Sequence, residues 1–274
     1  MTERTVFFVS DRTAVTVETL GHSLLTQFDG VKFKHVTVPF VDTLDKAVRV
    51  TRQINRTASK SGLRPIVFTS FVQDEVRAPL LSCEGLVLDF FEAFLSQIET
   101  ELESQSSHTL GKAHGMQDTT SYNSRIEAMN FAIEADDGHA TQHYDRADVI
   151  LTGVSRSGKT PTCLYLALQY GVFAANYPLT EDNLEIEQLP GMLIPFQGKL
   201  YGLTISPDRL RQIRLGRWSV GRYASVQQVS LEVRAAEALF KRHNIPHIDT
   251  TKCSIEEIAS TILNEMGVER HVRM

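Results

Sequence analysis

Eight residues, Gly153–Thr160 in "GVSRSGKT", constrain the fold of this chain more than any other stretch. They fit G-x-x-x-x-G-K-[ST], a loop whose backbone N–H groups cradle phosphates. The flanks agree with that reading. Val149, Ile150 and Leu151 form a short apolar run bounded by glycine, as a buried parallel strand does. Pro161 falls in the first turn of the succeeding helical run, where a missing N–H costs nothing. Leu164, Leu166, Ala167, Leu168 and Tyr170 continue a helix that is apolar nearly all round, and Gly171 supplies its stop. A strand, a loop and a helix N-terminus in this order point consecutive N–H groups and a helix dipole at one anion. The candidate phosphate-binding residues are therefore Gly153, Val154, Ser155, Arg156, Ser157, Gly158, Lys159 and Thr160. Lys159 is expected to reach the outer phosphates, and the Thr160 hydroxyl to hold Mg2+. The competing explanation is a glycine-rich turn beside an incidental lysine.

The rest of the chain supplies the setting such a loop needs. "TVFFVS", "FKHVTVPF", "PIVFTSFV" and "GLVLDFF" read as strands. Between and after them come helical patterns: Val17, Leu20, Leu24 and Phe28 at helical spacing, then Asp42–Ser61, then Glu92–Glu103. Alternation of this kind implies a parallel sheet covered by helices on its faces. "SQSSHTLGKAHGMQD", residues 104–118, loses all periodicity and reads as a domain boundary or functional loop. The expectation is an N-terminal Rossmann-like parallel-sheet domain over 1–105, followed by a P-loop kinase-like α/β domain over 106–274. In the second, "SYNSRIEAMNFAIEA" reads as a helix ending at "DDG". "VFAANYPL" and "KLYGLTIS" come after the loop helix, and Pro207–His243 reads as one long helical region. Ser254 and Glu257 form a capping box before Ile255, Ile258, Ile262 and Met266, with Gly267 as the stop.

With 274 residues, 42% hydrophobic and 22% charged, the chain has the make-up of a globular enzyme. A net charge of −5 argues against nucleic acid as the main partner. Three widely separated cysteines, Cys83, Cys163 and Cys253, offer no disulfide framework and suit a reducing compartment. "MTERTVFFVS" enters a strand without a signal-peptide core, and no apolar run approaches a membrane span. A soluble, cytoplasmic protein without membrane partners is the expectation. N-K-x-D, D-x-x-G, H-R-D, D-F-G and G-x-G-x-x-G signatures are missing, which argues against signalling GTPases, ordinary protein kinases and dinucleotide-binding enzymes. A P-loop kinase or phosphotransferase remains.

Several further stretches sharpen this: "VFFVSD", "ETLGHSLL", "HGMQD", "YNSRIEAMNFAIEADDG", "ADVILTGVSRSGKTPTCLYLA", "ANYPL", "GLTISPDRLRQIR" and "IDTTKCSIEEIA". Together they resemble the phosphoenolpyruvate synthase regulatory proteins, relatives of the regulators of pyruvate, phosphate dikinase, over about residues 4–265. The resemblance implies a bifunctional enzyme. One activity moves a phosphoryl group from ADP to a threonine of phosphoenolpyruvate synthase (pyruvate, water dikinase) and inactivates it. The other uses inorganic phosphate to remove that group, releasing pyrophosphate. It also implies that Gly153–Thr160 bind ADP, with inorganic phosphate as second substrate; a homodimer is left open. One departure is Arg12 and Ala14 in "SDRTAVT", where the family carries glycines.

A threonine hydroxyl needs a carboxylate to position it or take its proton. The candidates beside Lys159 in the catalytic set are Asp249, Asp137 and Asp118, with Asp136 next to Asp137 in "DDG". Asp249 ends an apolar run, where open α/β sheets bind ligands, or else caps the last helix. Asp136 and Asp137 read equally as a polar turn, and Asp118 as a cap. Arg156 could reach the transferring group from inside the loop. Arg211, Arg214 and Arg217, three apart, read as a phosphate clamp or a solvated helix face, with Arg222 a weaker candidate. His139 and His143 lack helical periodicity and a clear third ligand, so a zinc site is not expected. Two other functions fit the loop: a P-loop kinase for a small molecule, and a nucleotide-sensing regulator without turnover.

Overall fold

The computed structural model describes residues 3–107, 119–186, 188–216 and 222–272, with side chains of the helix that opens at 119 described from Tyr122 onward. The chain divides into two compact units, Met1–Gly115 and Met116–Met274.

The first unit is built on β1 (Glu3–Ser10), β2 (Lys32–Val38), β3 (Ile66–Ser70) and β4 (Leu86–Asp89), all parallel in the order β2-β1-β3-β4. Successive side chains of a strand face opposite ways, so the unbroken apolar run Val6–Val9 buries both faces of the sheet. Phe7, Val9 and Val67 pack under α2 (Leu44–Ser61) and α3 (Asp74–Leu81). Val6, Phe8 and Phe68 pack under α1 (Val15–Leu25), with Phe90 of α4 (Phe90–Glu101) stacked on Phe68.

Two expectations change here. The sequence suggests that α1 turns Val17, Leu20, Leu24 and Phe28 inward, yet the buried positions are Val17, Gly21 and Leu25. A Cβ at Gly21 would stand 2.6 Å from Phe8 Cε1 and 2.8 Å from Phe68 Cδ2. Only a residue with no side chain lets the helix lie directly on those rings, and this contact sets the buried face. The strand read through "GLVLDFF" stops at Asp89, because its carboxylate caps α4 at Glu92 N (2.9 Å) and accepts from Thr69 Oγ1 (2.7 Å). Ala14, where the family resemblance leads one to expect glycine, has a left-handed φ of 63° and is buried.

The second unit repeats the strand order. After α5 (Thr119–Glu134), β5 (Val149–Gly153), β6 (Ala174–Pro178), β7 (Leu200–Thr204) and β8 (His247–Asp249) form a parallel sheet in the order β6-β5-β7-β8. One face, with Val149, Leu151 and Tyr201, packs on α6 (Lys159–Tyr170) and α10 (Ile255–Met266). The other, with Ile150, Ala175 and Leu200, packs on α8 (Pro207–Leu215) and α9 (Val226–Arg242). Among the described residues the single helical region expected over 207–243 is thus two α-helices, with a 3-10 turn at Arg222–Ala224 before the second. Each has its own serine cap: Ser206 accepts from Arg209 N at 3.4 Å and Ser225 from Gln228 N at 3.2 Å. A short helix, α7 (Glu181–Ile186), comes after β6. Among the described residues no helix is long and apolar enough to cross a membrane.

The chain leaves β5 for β6 on one side and later adds β7 on the other. The order of strands therefore reverses at β5, and the crevice beyond its carboxyl end is where open α/β sheets take ligands. Gly153–Thr160 occupies that position.

Candidate active site

The loop from β5 to α6 is shaped by its backbone. Gly153 has φ 151°, and a Cβ there would sit 2.3 Å from the Leu203 carbonyl oxygen on β7. Only glycine lets the chain turn off the sheet that closely. Arg156 and Gly158 also take positive φ, 75° and 99°, so the loop curls back before α6 begins at Lys159.

Lys159 points into this curl. It is 5% exposed, and Nζ donates to the carbonyls of Gly153 (3.1 Å) and Val154 (3.0 Å). Among the described residues no carboxylate comes within ion-pair distance of it. Burial pushes its pKa down to about 8, against an opposing pull from Asp137 and, more weakly, Asp136. The Ser157 hydroxyl, also buried, has no hydrogen-bond partner among the described residues. A buried ammonium without a counter-charge, an orphaned hydroxyl and a helix N-terminus all lack the same thing: an anion.

A second group of residues meets at the start of α6. Thr160 Oγ1 donates to Asp136 Oδ1 at 2.8 Å, and Asn176 Nδ2 donates to the same oxygen. Asn176 lies on β6, fully buried, and its Oδ1 accepts from the Asp137 backbone N–H at 3.0 Å. The Tyr144 hydroxyl in turn donates to the Asn176 carbonyl (2.9 Å). Asn176 thereby fixes the turn Asp136–Gly138, in which Asp137 is left-handed at φ 50°. Thr160 and Asp136 offer two hard oxygens beside the loop, a donor set that fits a Mg2+ ion completed by water and phosphate oxygens.

On the opposite side, Thr250 Oγ1 donates to Ser157 O (3.2 Å) and Thr204 O (3.0 Å), tying the loop to β7 and to the end of β8. Asp249 precedes it. Its Oδ1 accepts from Thr251 N at 2.9 Å and from the Thr251 hydroxyl, while the residue as a whole stays exposed. The structure therefore gathers Lys159, Thr160, Asp136 and Asp137 around one loop, with Asp249 one residue from a side chain that braces it. Asp118 and Arg217 lie outside the described residues.

The arginine row on α8 is neither a clamp nor a solvated face at its middle member. Arg214 is fully buried and bonded to Glu232 Oε2 (2.6 Å), Tyr223 O (2.9 Å) and Ser155 O (3.2 Å). Arg211 is exposed, and Arg222 pairs with Glu181 at 2.7 Å. His139 Nδ1 lies 2.7 Å from the Asp136 carbonyl. Sequence reasoning missed Asn176, Thr250 and the bracing role of Arg214. Asn176 carried a usable signal, since asparagine is rare inside an apolar strand such as "AANYP".

Comparison with known proteins decides the family. A model of the kinase/pyrophosphorylase family matches residues 6–263. The chain belongs to this family. Among its relatives is a protein of Alkalilimnicola ehrlichii, 54% identical over 274 residues, covering 99% of this chain and 100% of the relative. Relatives from Stutzerimonas stutzeri and Pseudomonas putida are 52% and 51% identical over 271 residues, covering 99% of this chain and 100% of each relative. All three carry, provisionally, the name phosphoenolpyruvate synthase regulatory protein.

Proposed function

We propose that this chain is an ADP-dependent protein threonine kinase and a phosphate-dependent phosphorylase, and that its protein substrate is phosphoenolpyruvate synthase. Three things support the reading: membership of the kinase/pyrophosphorylase family, the names of its relatives, and the anion-seeking loop. The observation that carries it is Lys159, a buried ammonium with no carboxylate within ion-pair distance among the described residues, at a helix N-terminus.

In the forward direction the loop N–H groups and Lys159 hold the diphosphate of ADP. The substrate threonine oxygen bonds to the β-phosphorus, the bond from that phosphorus to the bridging oxygen breaks, and AMP leaves. The hydroxyl proton goes to a carboxylate. Asp137 is the first choice for this base: among the described carboxylates its charge acts most strongly on Lys159, and its side chain is exposed. Asp249, whose Oδ1 is engaged by Thr251, is the second. In the reverse direction an oxygen of inorganic phosphate bonds to the phosphothreonine phosphorus. The bond to the threonine oxygen breaks, the threonine recovers a proton from the same carboxylate, and pyrophosphate forms. Both paths place a phosphoryl group between two oxygens at one anion site, so a single loop serves both. Thr160 and Asp136 would hold Mg2+, which when bound neutralises phosphate charge.

The test uses purified, phosphorylated phosphoenolpyruvate synthase. With this protein and inorganic phosphate, pyrophosphate should appear in proportion to the phosphothreonine lost, and ADP should compete with phosphate. Loss of phosphothreonine in phosphate-free buffer, with no pyrophosphate formed, refutes the phosphorylase half.

A further inference from the structure

The Arg214 cluster does more than fill space. α8 delivers a fully buried arginine beneath the loop, a costly placement offset by the bonds its two terminal nitrogens make, while Nε has no partner among the described residues. The charge is met by Glu232 at 2.6 Å, so Arg214 itself is not free to neutralise a phosphate. Its remaining contacts converge on two residues. One is Ser155, the third residue of the loop, held through its carbonyl. The other is Tyr223, held through its carbonyl and through the ring face, whose centroid lies 4.1 Å from the guanidinium carbon. Glu232 is itself fixed by Gln228 Nε2 (3.0 Å), which also donates to Glu181 (3.1 Å). The result is a tyrosine pinned at backbone and ring, 38% exposed, with its hydroxyl 3.0 Å from Ser155 Oγ.

We propose that Tyr223 is a phosphate-contacting residue of this site and that Arg214 is the positioning residue that presents it. The inference rests on the loop being an anion site, as proposed above. Ser155 Oγ and the Tyr223 phenol can each act as donor or acceptor, so the present bond between them is readily exchanged. When a phosphoryl group enters the loop, the phenol proton turns from the serine to a phosphate oxygen, a charge-assisted bond stronger than the neutral one it replaces. A neutral donor suits a site that must take ADP in one direction and inorganic phosphate with phosphothreonine in the other, because it adds no fixed charge. Preorganisation by Arg214 means the ring is already in place before the ligand arrives.

Isothermal titration of the full-length protein with ADP and with inorganic phosphate tests this, using wild type, Lys159→Met, Tyr223→Phe and Arg214→Lys. Tyr223→Phe keeps the ring face and the carbonyl that Arg214 holds, and removes only the hydroxyl. It should weaken binding of both ligands about tenfold, with an unfolding midpoint near wild type. Arg214→Lys loses the planar fork and should weaken binding by a similar factor. Adding Tyr223→Phe to it should then cost little more, a non-additivity that a purely structural arginine does not produce. If Arg214→Lys does not fold, Tyr223→Phe carries the test alone. Wild-type affinity in Tyr223→Phe, with Lys159→Met unable to bind, overturns the role of Tyr223 and leaves the loop's anion reading standing. Wild type binding neither ligand overturns both.

Discussion

Replacing Lys159 by methionine should make the empty protein more stable while removing its ability to bind phosphate. Burial holds the Lys159 pKa at about 8, against an ordinary value of 10.5. At roughly 1.4 kcal/mol per unit, keeping this group charged at pH 7 costs the ligand-free fold about 3 kcal/mol. Methionine fills a similar volume without charge. The two carbonyls that lose the Nζ donor keep others: Gly153 O accepts from Leu179 N at 3.0 Å and Val154 O from Ser157 N at 3.3 Å. Setting about 1 kcal/mol against the lost hydrogen bonds leaves Lys159→Met ahead by about 2 kcal/mol at pH 7.

The pH dependence gives the same argument a sign. The folded pKa is depressed, so between pH 8 and 10.5 the unfolded chain holds a proton that the folded chain has released. Wild-type stability from this group therefore rises across that window and is lost again as pH falls through 8. Lys159→Met has no such term, so its advantage should vanish before pH 10.5 and turn there into a deficit of up to about 1 kcal/mol, the cost set against the lost hydrogen bonds. Saturating phosphate should reverse the ranking at pH 7, since ligand at 100 times its Kd adds about 2.7 kcal/mol to wild type alone. Hydrogen exchange of β5 and α6 amides, followed through a urea series, reads the second unit by itself. A variant less stable than wild type at pH 7, or one that still binds phosphate, refutes the reasoning.

Asp136→Ala should orphan the buried Asn176 amide donor, lowering stability of the second unit by about 1–3 kcal/mol in urea unfolding; with Mg2+ held as proposed, titration calorimetry should find ADP affinity dependent on Mg2+ in wild type and independent of it in the variant. Asp137→Asn should cut turnover about 100-fold or more in both directions with ADP affinity near wild type, whereas Asp249→Asn should retain most activity; the reverse ranking in a partner-phosphorylation assay would exchange their roles. Gly21→Ala should destabilise the first unit by about 1–3 kcal/mol despite alanine's better helix propensity, because its Cβ meets Phe8 and Phe68 below 3 Å; a higher midpoint in thermal unfolding would mean the rings shift freely.

What could be read from the residues alone depended on how local the determining interaction was. The capping box closes within four residues, and it stands as expected: Glu257 N reaches Ser254 Oγ at 3.2 Å and Ser254 N reaches Glu257 Oε2 at 2.7 Å. Gly171 and Gly267 stop their helices in left-handed conformations, φ 68° and 64°, for the same local reason. The buried face of α1 was not legible, because it is chosen by two rings from other strands pressing on Gly21. Leu20 and Leu24, which the spacing favours, are left exposed by that choice. α3 and α7 are not legible in the sequence either. At 8 and 6 residues they are too short for a helical period to declare itself.

The site divides along the same line. Gly153–Thr160 is contiguous, and its chemistry comes from eight residues and their flanks. The residues that make the loop rigid come from elsewhere: Asp136, 24 positions before Thr160, Arg214, 59 after Ser155, and Thr250, 93 after Ser157. No periodicity links them, and each has an innocent local explanation as a turn acid, a helix-surface arginine or a cap. Their partners reveal them. Asp136 is held by Asn176, Arg214 by Glu232, and Thr250 by β7, so each support is buried or engaged before any ligand comes. Lys159, inside the loop, carries a buried positive charge with no carboxylate within ion-pair distance among the described residues. A loop braced on three sides around one unmet positive charge has its polarity set in advance, and what enters it must bring the negative charge that the fold withholds.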